Sequence, residues 1–338
     1  MKALVIERPL SAAVADVARP EPGAGEALVR VAANGICGSD VEILEGRRPA
    51  PYVRYPIIPG HEWAGTVEAL GAGVTGIERG APVVAEGFRA CGECARCREG
   101  LTNLCEAEYA ETGFTHSGAC AEFLCVPASL VHVLPAGTDL EAAALLEPAA
   151  CVAGGLLEAD LRPGLSVAVV GSGTLGLLAV ALLRLTSPAR LTLVGTRPAR
   201  LALGRELGAD QTIDVAGDVP LSQFDLVFEA ANRPEGAQLA LRLARRGGTV
   251  VLEGISGIDE PALTADLISL GNLRVQGIFG ASRAAWRWVV ELFAQGQLDP
   301  ARLVTHRLPL ERHGEAFALL GDRSAGALKV QLLPNGSA

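Results

Sequence analysis

Apolar and polar positions alternate in short runs through roughly the first 150 residues. Residues 27–31 and 66–70 show the period and composition of strands, with proline- and glycine-rich breaks at 20–23 and 71–73. No long helical period interrupts them, so this stretch predicts an all-β, loop-rich module. From about Cys151 the texture changes. Strand-like runs at 165–170, 191–194, 225–229, 248–252 and 271–279 are separated by helix-length segments at 175–184, 198–207 and 235–244. Strands alternating with helices of this length predict βαβ units and a parallel sheet, an α/β class for the second half. A final helix at 284–295 and strand at 327–333 could extend that sheet or return to the first module. Residues 334–338 read as a loose tail.

Length and composition narrow the class. At 338 residues the chain has room for about two domains. Its 49% apolar and 20% charged content excludes a disordered chain, and its 40 glycines follow no three-residue period, which excludes collagen. A net charge of −9 supplies no basic field for a phosphate backbone, so nucleic acid is not expected as a partner. The longest apolar run, 175–183, stops at Arg184, far short of the roughly 20 residues of a membrane span. The N-terminal run is too short and too charged for a signal peptide, so a cytoplasmic location is expected.

The cysteines carry the first chemical signal. Cys91, Cys94, Cys97 and Cys105 form C-x2-C-x2-C-x7-C. In a reducing compartment four thiolates at such spacing point to metal, and a closed four-cysteine site is structural zinc. Bacterial ferredoxins share the first spacings, but there the fourth gap is three residues and a proline follows. Cys120, Cys125 and Cys151 read as small buried residues.

A second set lies in the same module. Cys37 with Ser39 and Asp40, and His61 with Glu62, flank glycines at two separate places. A cysteine, a histidine and carboxylates could hold a second zinc that keeps a position open for water or substrate, although each piece alone also reads as packing. Glu147 stands in an apolar run before Pro148. It needs a partner or a metal if buried, or else marks a solvated helix end.

The third signal is Gly171-Ser172-Gly173-Thr174-Leu175-Gly176, a G-x-G-x-x-G between a buried strand and a helix. In that setting the glycines allow a tight turn and bring a pyrophosphate to free N–H groups at a helix N-terminus. The second strand ends in Gly195, Thr196 and Arg197, where an NAD site would carry an acidic residue. Glycine removes the carboxylate that repels a 2′-phosphate, and the hydroxyl and guanidinium could bind one, which favours NADP(H) over NAD(H). Arg200 could flank the adenine.

Together and in this order, these motifs resemble the zinc-dependent medium-chain dehydrogenase/reductase family, over nearly the whole chain. Glu147-Pro148 is similar to its polyol and sugar branch, and residues 1–5 and 113–122 look like its aminocyclitol dehydrogenases. The resemblance implies a GroES-like catalytic domain over 1–150, with a zinc lobe at about 88–108, completed by about 281–338. It also implies a Rossmann nucleotide-binding domain over 151–280. Two zinc ions per chain are implied. Cys37 and His61 are the implied catalytic ligands, with Glu62 and Glu147 completing or alternating in the sphere, and Ser39 starts a proton relay from the substrate hydroxyl. The implied reaction moves a hydride between a secondary alcohol (polyol, cyclitol, amino alcohol or similar) and NAD(P)+, in a homodimer or homotetramer.

One departure stands out. Where the family often has a histidine two residues after Asp40, this chain has Glu42, so Glu42 or solvent must take the outer place in the relay. The rival readings are a redox-inactive nucleotide-binding protein on the same scaffold and a zinc-independent quinone or enoyl reductase. Both are expected to lack the ligand residues present here. Tyr52, Trp63, Phe114, Phe279 and Trp286 could line a substrate pocket, though packing is the simpler role for each.

Overall fold

The structure is a computed structural model and describes residues 1–255, 263–322 and 325–336. The chain divides into two compact units, Met1–Glu147 with Ser282–Ala338, and Pro148–Ala281.

The opening segment carries strands β1 (Lys2–Arg8), β2 (Ser11–Asp16), β3 (Glu26–Gly35), β4 (Glu62–Leu70), β5 (Pro82–Ala85), β6 (Phe123–Pro127) and β7 (Val131–Val133). The second unit follows with β8 (Ser166–Val170), β9 (Arg190–Gly195), β10 (Gln211–Asp214), β11 (Phe224–Glu229), β12 (Ala244–Leu252) and β13 (Arg274–Gly277). The chain then returns to the first unit with β14 (Val304–Pro309) and β15 (Lys329–Leu333).

In the first unit one sheet runs β14-β15-β3-β4-β5-β7. β3 is nearly all buried and pairs along its length with β4, while β6 and β15 share its other edge. β6 takes residues 26–30 and β15 takes residues 34 and 35. Both strands foreseen here are longer than their alternating cores, because β3 and β4 continue into positions buried on both faces, where no polar residue marks the period. Val29, Val31, Trp63, Val67, Leu124 and Val126 form one core under this sheet.

The expectation of an all-β module needs correction. Helices Gly38–Glu45 and Leu140–Ala143 stand among the strands. The first is too short and weakly amphipathic to show as a period, and its start is set by capping. The last strand settles the open question of the chain's end: β15 joins β3, so the final segment belongs to the first unit. The tail reading of 334–338 also fails where it is described. Pro334 is buried, and Asn335 Nδ2 donates to Val31 O at 2.8 Å and Glu122 O at 2.9 Å. Residues 337 and 338 lie outside the described residues.

The second unit is a six-stranded sheet, β10-β9-β8-β11-β12-β13, with every pairing parallel. The order reverses between β8 and β11, the doubly wound arrangement whose ligand crevice opens at that switch point, beyond the carboxyl ends of the strands. β8, β9 and β11 are buried almost throughout, as strands covered on both faces must be. The foreseen strand at 271–279 shortens to Arg274–Gly277, because Gly271 ends helix Ala265–Gly271 and Asn272 turns left-handed after it. Among the described residues no helix is long and apolar enough to cross a membrane.

Candidate metal and dinucleotide sites

β3 delivers the chain to Cys37, the N-cap of helix Gly38–Glu45. Asp40, fully buried in the first turn, accepts a hydrogen bond on Oδ2 from Cys37 N at 2.8 Å, one arm of a capping box. Its other oxygen lies 3.5 Å from His61 Nδ1. His61 follows Gly60 and stands just before β4, whose first residue pairs with the end of β3. That glycine has φ +103°, and a Cβ there would sit 2.8 Å from Cys120 N, so no larger residue fits. Glu62 opens β4. The ligand atoms of Cys37, His61 and Glu62 all fall within 4.8 Å of one another. Ser39 Oγ lies 3.4 Å from His61 Nε2 and so borders the same point.

A zinc ion fits this set. Thiolate, imidazole and carboxylate oxygen are its ordinary donors. Asp40 Oδ1 and His61 Nδ1 are both buried, with no hydrogen-bond partner closer than each other, which suits a carboxylate that orients a metal-binding imidazole from behind. Burial works against a proton on His61, yet Asp40 and Cys37 hold its pKa well above the usual imidazole value.

Glu62 has a second partner. Lys329 Nζ, from β15, lies 2.5 Å from Glu62 Oε2 and 3.2 Å from Ile36 O, with both side chains almost wholly buried. Burial lowers the lysine pKa, but Glu62 and Cys37 outweigh this and raise it above its ordinary value. Glu147 is half-buried in the first turn of helix Leu146–Leu157. It is not among the three residues gathered within ligand distance, but it contributes to the electrostatics of both Lys329 and Glu111. Pro148 stands in that same first turn, where its missing N–H has no helical partner to lose, so the alternative of a helix end before Pro148 does not hold.

Around this set lie further residues, of which Glu111 and Lys329 belong to none of the sequence motifs. Glu111 is buried, takes a hydrogen bond from the Tyr109 hydroxyl, and is pushed by burial up to about 8 against the opposing pull of His61. Nothing in its sequence neighbourhood marks it. Lys329 did carry a signal, as the one cation inside the apolar run 327–333. Glu42 is 3.3 Å from Arg48, whose guanidinium lies 4.8 Å from the centroid of Phe114, and Phe114 in turn packs on His61. Trp63 sits in the core and Trp286 stacks on His132, so both pack. Tyr52 meets Tyr109 edge-on, and Phe279 is half-buried in the second unit.

The second set, Cys91, Cys94, Cys97 and Cys105, is gathered with every sulfur within 4.8 Å of the others. Two of the separations are 3.5 and 3.9 Å, near the roughly 3.8 Å expected between sulfurs of a tetrahedral zinc site. None of the four is in a disulfide. Cys94 accepts from backbone N–H groups, those of Glu106 and Cys97, which lower its pKa to about 6 and favour the thiolate. The set fits a structural zinc. Of the remaining cysteines Cys120 is fully buried, while Cys125 and Cys151 are only partly so.

In the second unit, Gly171 directly follows β8 with φ +108°, and a Cβ there would lie 2.7 Å from Ala230 O. Any side chain on Gly176 would overlap the carbonyl of Gly171. Gly173, between them, faces open space, which leaves the backbone bare where a phosphate approaches. Helix Thr174–Arg184 starts there, and Thr174 and Leu175 form its first turn. The cradle fits a dinucleotide. Gly195 has a packing reason of its own, since a Cβ would come 2.6 Å from Ser172 Oγ. Thr196 beyond it is exposed, and Arg197 caps helix Pro198–Glu206. Burial and the neighbouring Arg197 charge lower Arg200 to about 10, so two guanidinium groups crowd the end of β9.

Comparison with known proteins matches residues 23–136 to the alcohol dehydrogenase GroES-like domain and residues 174–295 to the zinc-binding dehydrogenase domain. L-threonine 3-dehydrogenase of Bacillus subtilis is 32% identical over 349 aligned positions, spanning 99% of each chain. The chain belongs to the zinc-dependent medium-chain dehydrogenase family. D-altritol 5-dehydrogenase of Agrobacterium fabrum is 36% identical to this dehydrogenase over 85% of the chain and 86% of the relative. A candidate zinc-binding dehydrogenase of Sinorhizobium meliloti 1021, solved with NADP, superposes with a TM-score of 0.91 at 32% identity. It covers 98% of this chain and 99% of its own. This dehydrogenase is thus an oxidoreductase that moves a hydride between an alcohol and a ketone.

Proposed function

We propose that the chain oxidises a small polyhydroxy or amino secondary alcohol, reversibly, with NADP(H) favoured over NAD(H), and carries two zinc ions. The observation that carries this reading is the gathering of Cys37, His61 and Glu62, from two segments flanking β3 and β4, with the Ser39 hydroxyl beside them. Relatives named for threonine, sorbitol and altritol support a polar substrate. The first unit is the catalytic domain and the second the cofactor domain. A homodimer or homotetramer agrees with β13 standing, among the described residues, at one edge of its sheet.

When bound, zinc supplies Lewis acidity toward an alcohol oxygen and the nicotinamide accepts the hydride. The chain's own residues do the rest. Cys37, His61 and Glu62 would hold the metal, and Glu147, whose charge is felt by Lys329, would be the carboxylate that alternates with Glu62. Asp40 fixes the orientation of both Cys37 and His61. Ser39 Oγ accepts a hydrogen bond from the substrate hydroxyl and passes its proton outward. The Glu42 carboxylate is engaged by Arg48, which supports solvent as the outer member of the relay.

A panel of polyols, amino alcohols and simple secondary alcohols, each with NAD+ and NADP+, tests the reading, together with elemental analysis. Cys37→Ala is expected to abolish turnover and lose one of two zinc ions while nucleotide binding persists. Full activity in that variant would refute the site.

A further inference from the structure

Glu229 is a buried acid that the chemistry above leaves without a task. It ends β11, 1% exposed, on the strand that pairs with β8 where the sheet order reverses. Its Oε1 accepts a hydrogen bond from Ala231 N at 2.6 Å, and the N–H of Gly254, which donates to the Glu229 carbonyl at 3.3 Å, also favours the charged carboxylate. Its carbonyl accepts from Glu253 N at 3.0 Å. Through its carboxyl and its carbonyl together, Glu229 therefore ties the turn after β11 to the loop after β12. Two glycines are kept bare around it: a Cβ on Gly236 would come within 2.8 Å of Oε1, and one on Gly254 within 2.7 Å of Oε2.

That turn is the surface on which the nucleotide loop rests. A Cβ on Gly171 would lie 2.7 Å from Ala230 O and 2.8 Å from Ala231 N, and the turn closes with Asn232 in the left-handed region at φ 54°. An apolar side chain of equal size would be cheaper to bury than a carboxyl. What the carboxyl adds is an acceptor for the Ala231 N–H and a negative charge packed against Gly254 in the other loop.

We infer that Glu229 is a positioning residue for the dinucleotide, fixing the turn at 230–232 and through it the place where Gly171 and the following N–H groups meet the pyrophosphate. The inference rests on the dinucleotide reading of residues 171–176.

The test is a fluorescence titration of the zinc-loaded full chain with NADH and NADPH, for the unaltered protein, Glu229→Gln and Glu229→Ala, alongside thermal melting and hydrogen exchange at Ala231 and Gly254. Glu229→Ala is expected to weaken both nucleotides by the same factor, about tenfold, and to speed exchange at both amides. Glu229→Gln, which keeps one acceptor oxygen, is expected to lose less. Bound zinc stays the same. Unchanged affinities beside a lowered melting temperature would assign Glu229 to stability alone and overturn the inference, as would a loss confined to NADPH. If Glu229→Ala does not fold, Glu229→Gln decides by the same criteria. An unaltered chain that binds neither nucleotide overturns the dinucleotide reading and this inference together.

Discussion

Lys329 Nζ sits 2.5 Å from Glu62 Oε2 in a place that water does not reach. The lysine comes from β15, near the far end of the chain, and the glutamate opens β4 beside His61. The Cys37 thiolate with the Glu62 and Asp40 carboxylates would carry one negative charge more than a divalent ion supplies, and the buried ammonium offsets it. The pair also holds Glu62 on the side facing β15, so a metal held by Cys37, His61 and Glu62 would share that carboxylate with the lysine. Lys329→Met leaves that carboxylate buried without its cation. The metal-free variant is expected to lose about 3–5 kcal/mol of stability, and the zinc-loaded one less, because the ion replaces the missing charge. Denaturant titrations with and without zinc measure both. Equal losses in the two states would show that the metal never uses Glu62.

The four-cysteine lobe is expected to be separable from turnover chemistry. Cys105→Ser should lower bound zinc from two ions per chain to one, and speed hydrogen exchange across residues 91–105, while the Cys37 site keeps its ion. Metal analysis paired with peptide-level exchange checks this. Loss of both ions would mean that the two sites fold as one.

Arg197 and Arg200 crowd the end of β9, and burial with mutual repulsion brings Arg200 down to about 10. A 2′-phosphate relieves that repulsion. Arg197→Ala is expected to raise the dissociation constant for NADPH about tenfold or more and to leave that for NADH nearly unchanged. Equal effects on the two would remove the preference, and Gly195 would then be explained by Ser172 packing alone.

Asp225 provides a pH-dependent contribution in the second unit. Its Oδ2 accepts from Ser166 N at 2.8 Å and its Oδ1 from Arg245 Nε at 2.5 Å. Burial raises its pKa, but the Ser166 amide and Arg245 outweigh that and hold it below the ordinary carboxylate value. A depressed native pKa gives stability that is present above the unfolded value, near 3.9, and is lost as pH falls through the native one. Asp225→Asn is expected to cost about 1 kcal/mol at pH 7, kept small by the exposed guanidinium, and progressively less as pH approaches 3. Denaturation curves across that range check it. A cost that does not change with pH would place the effect in packing.

What the sequence revealed followed the physics of each signal. The parallel sheet was visible because buried strands such as Val167–Val170 form unbroken apolar runs, and the glycine loop because a turn there excludes side chains. The four cysteines announced themselves by spacing. By contrast, helix Gly38–Glu45 left no period, since its start depends on one hydrogen bond between Asp40 and Cys37. β10 and β14 escaped notice because half-exposed edge strands mix polar and apolar residues. Glu111 and Glu229 were invisible for a further reason: what makes each distinctive is the groups brought beside it by distant segments, and no local pattern encodes those.

The separation of Lys329 from Glu62 by 267 positions has a temporal consequence. At ordinary translation speeds the ribosome needs roughly 13 to 50 seconds to travel from one codon to the other. During that interval Cys37, His61 and Glu62 are already synthesised while their counter-ion is not. A nascent chain therefore carries the Glu62 carboxylate before the lysine that pairs with it exists, and a metal taken up in that interval would meet the carboxylate unpaired.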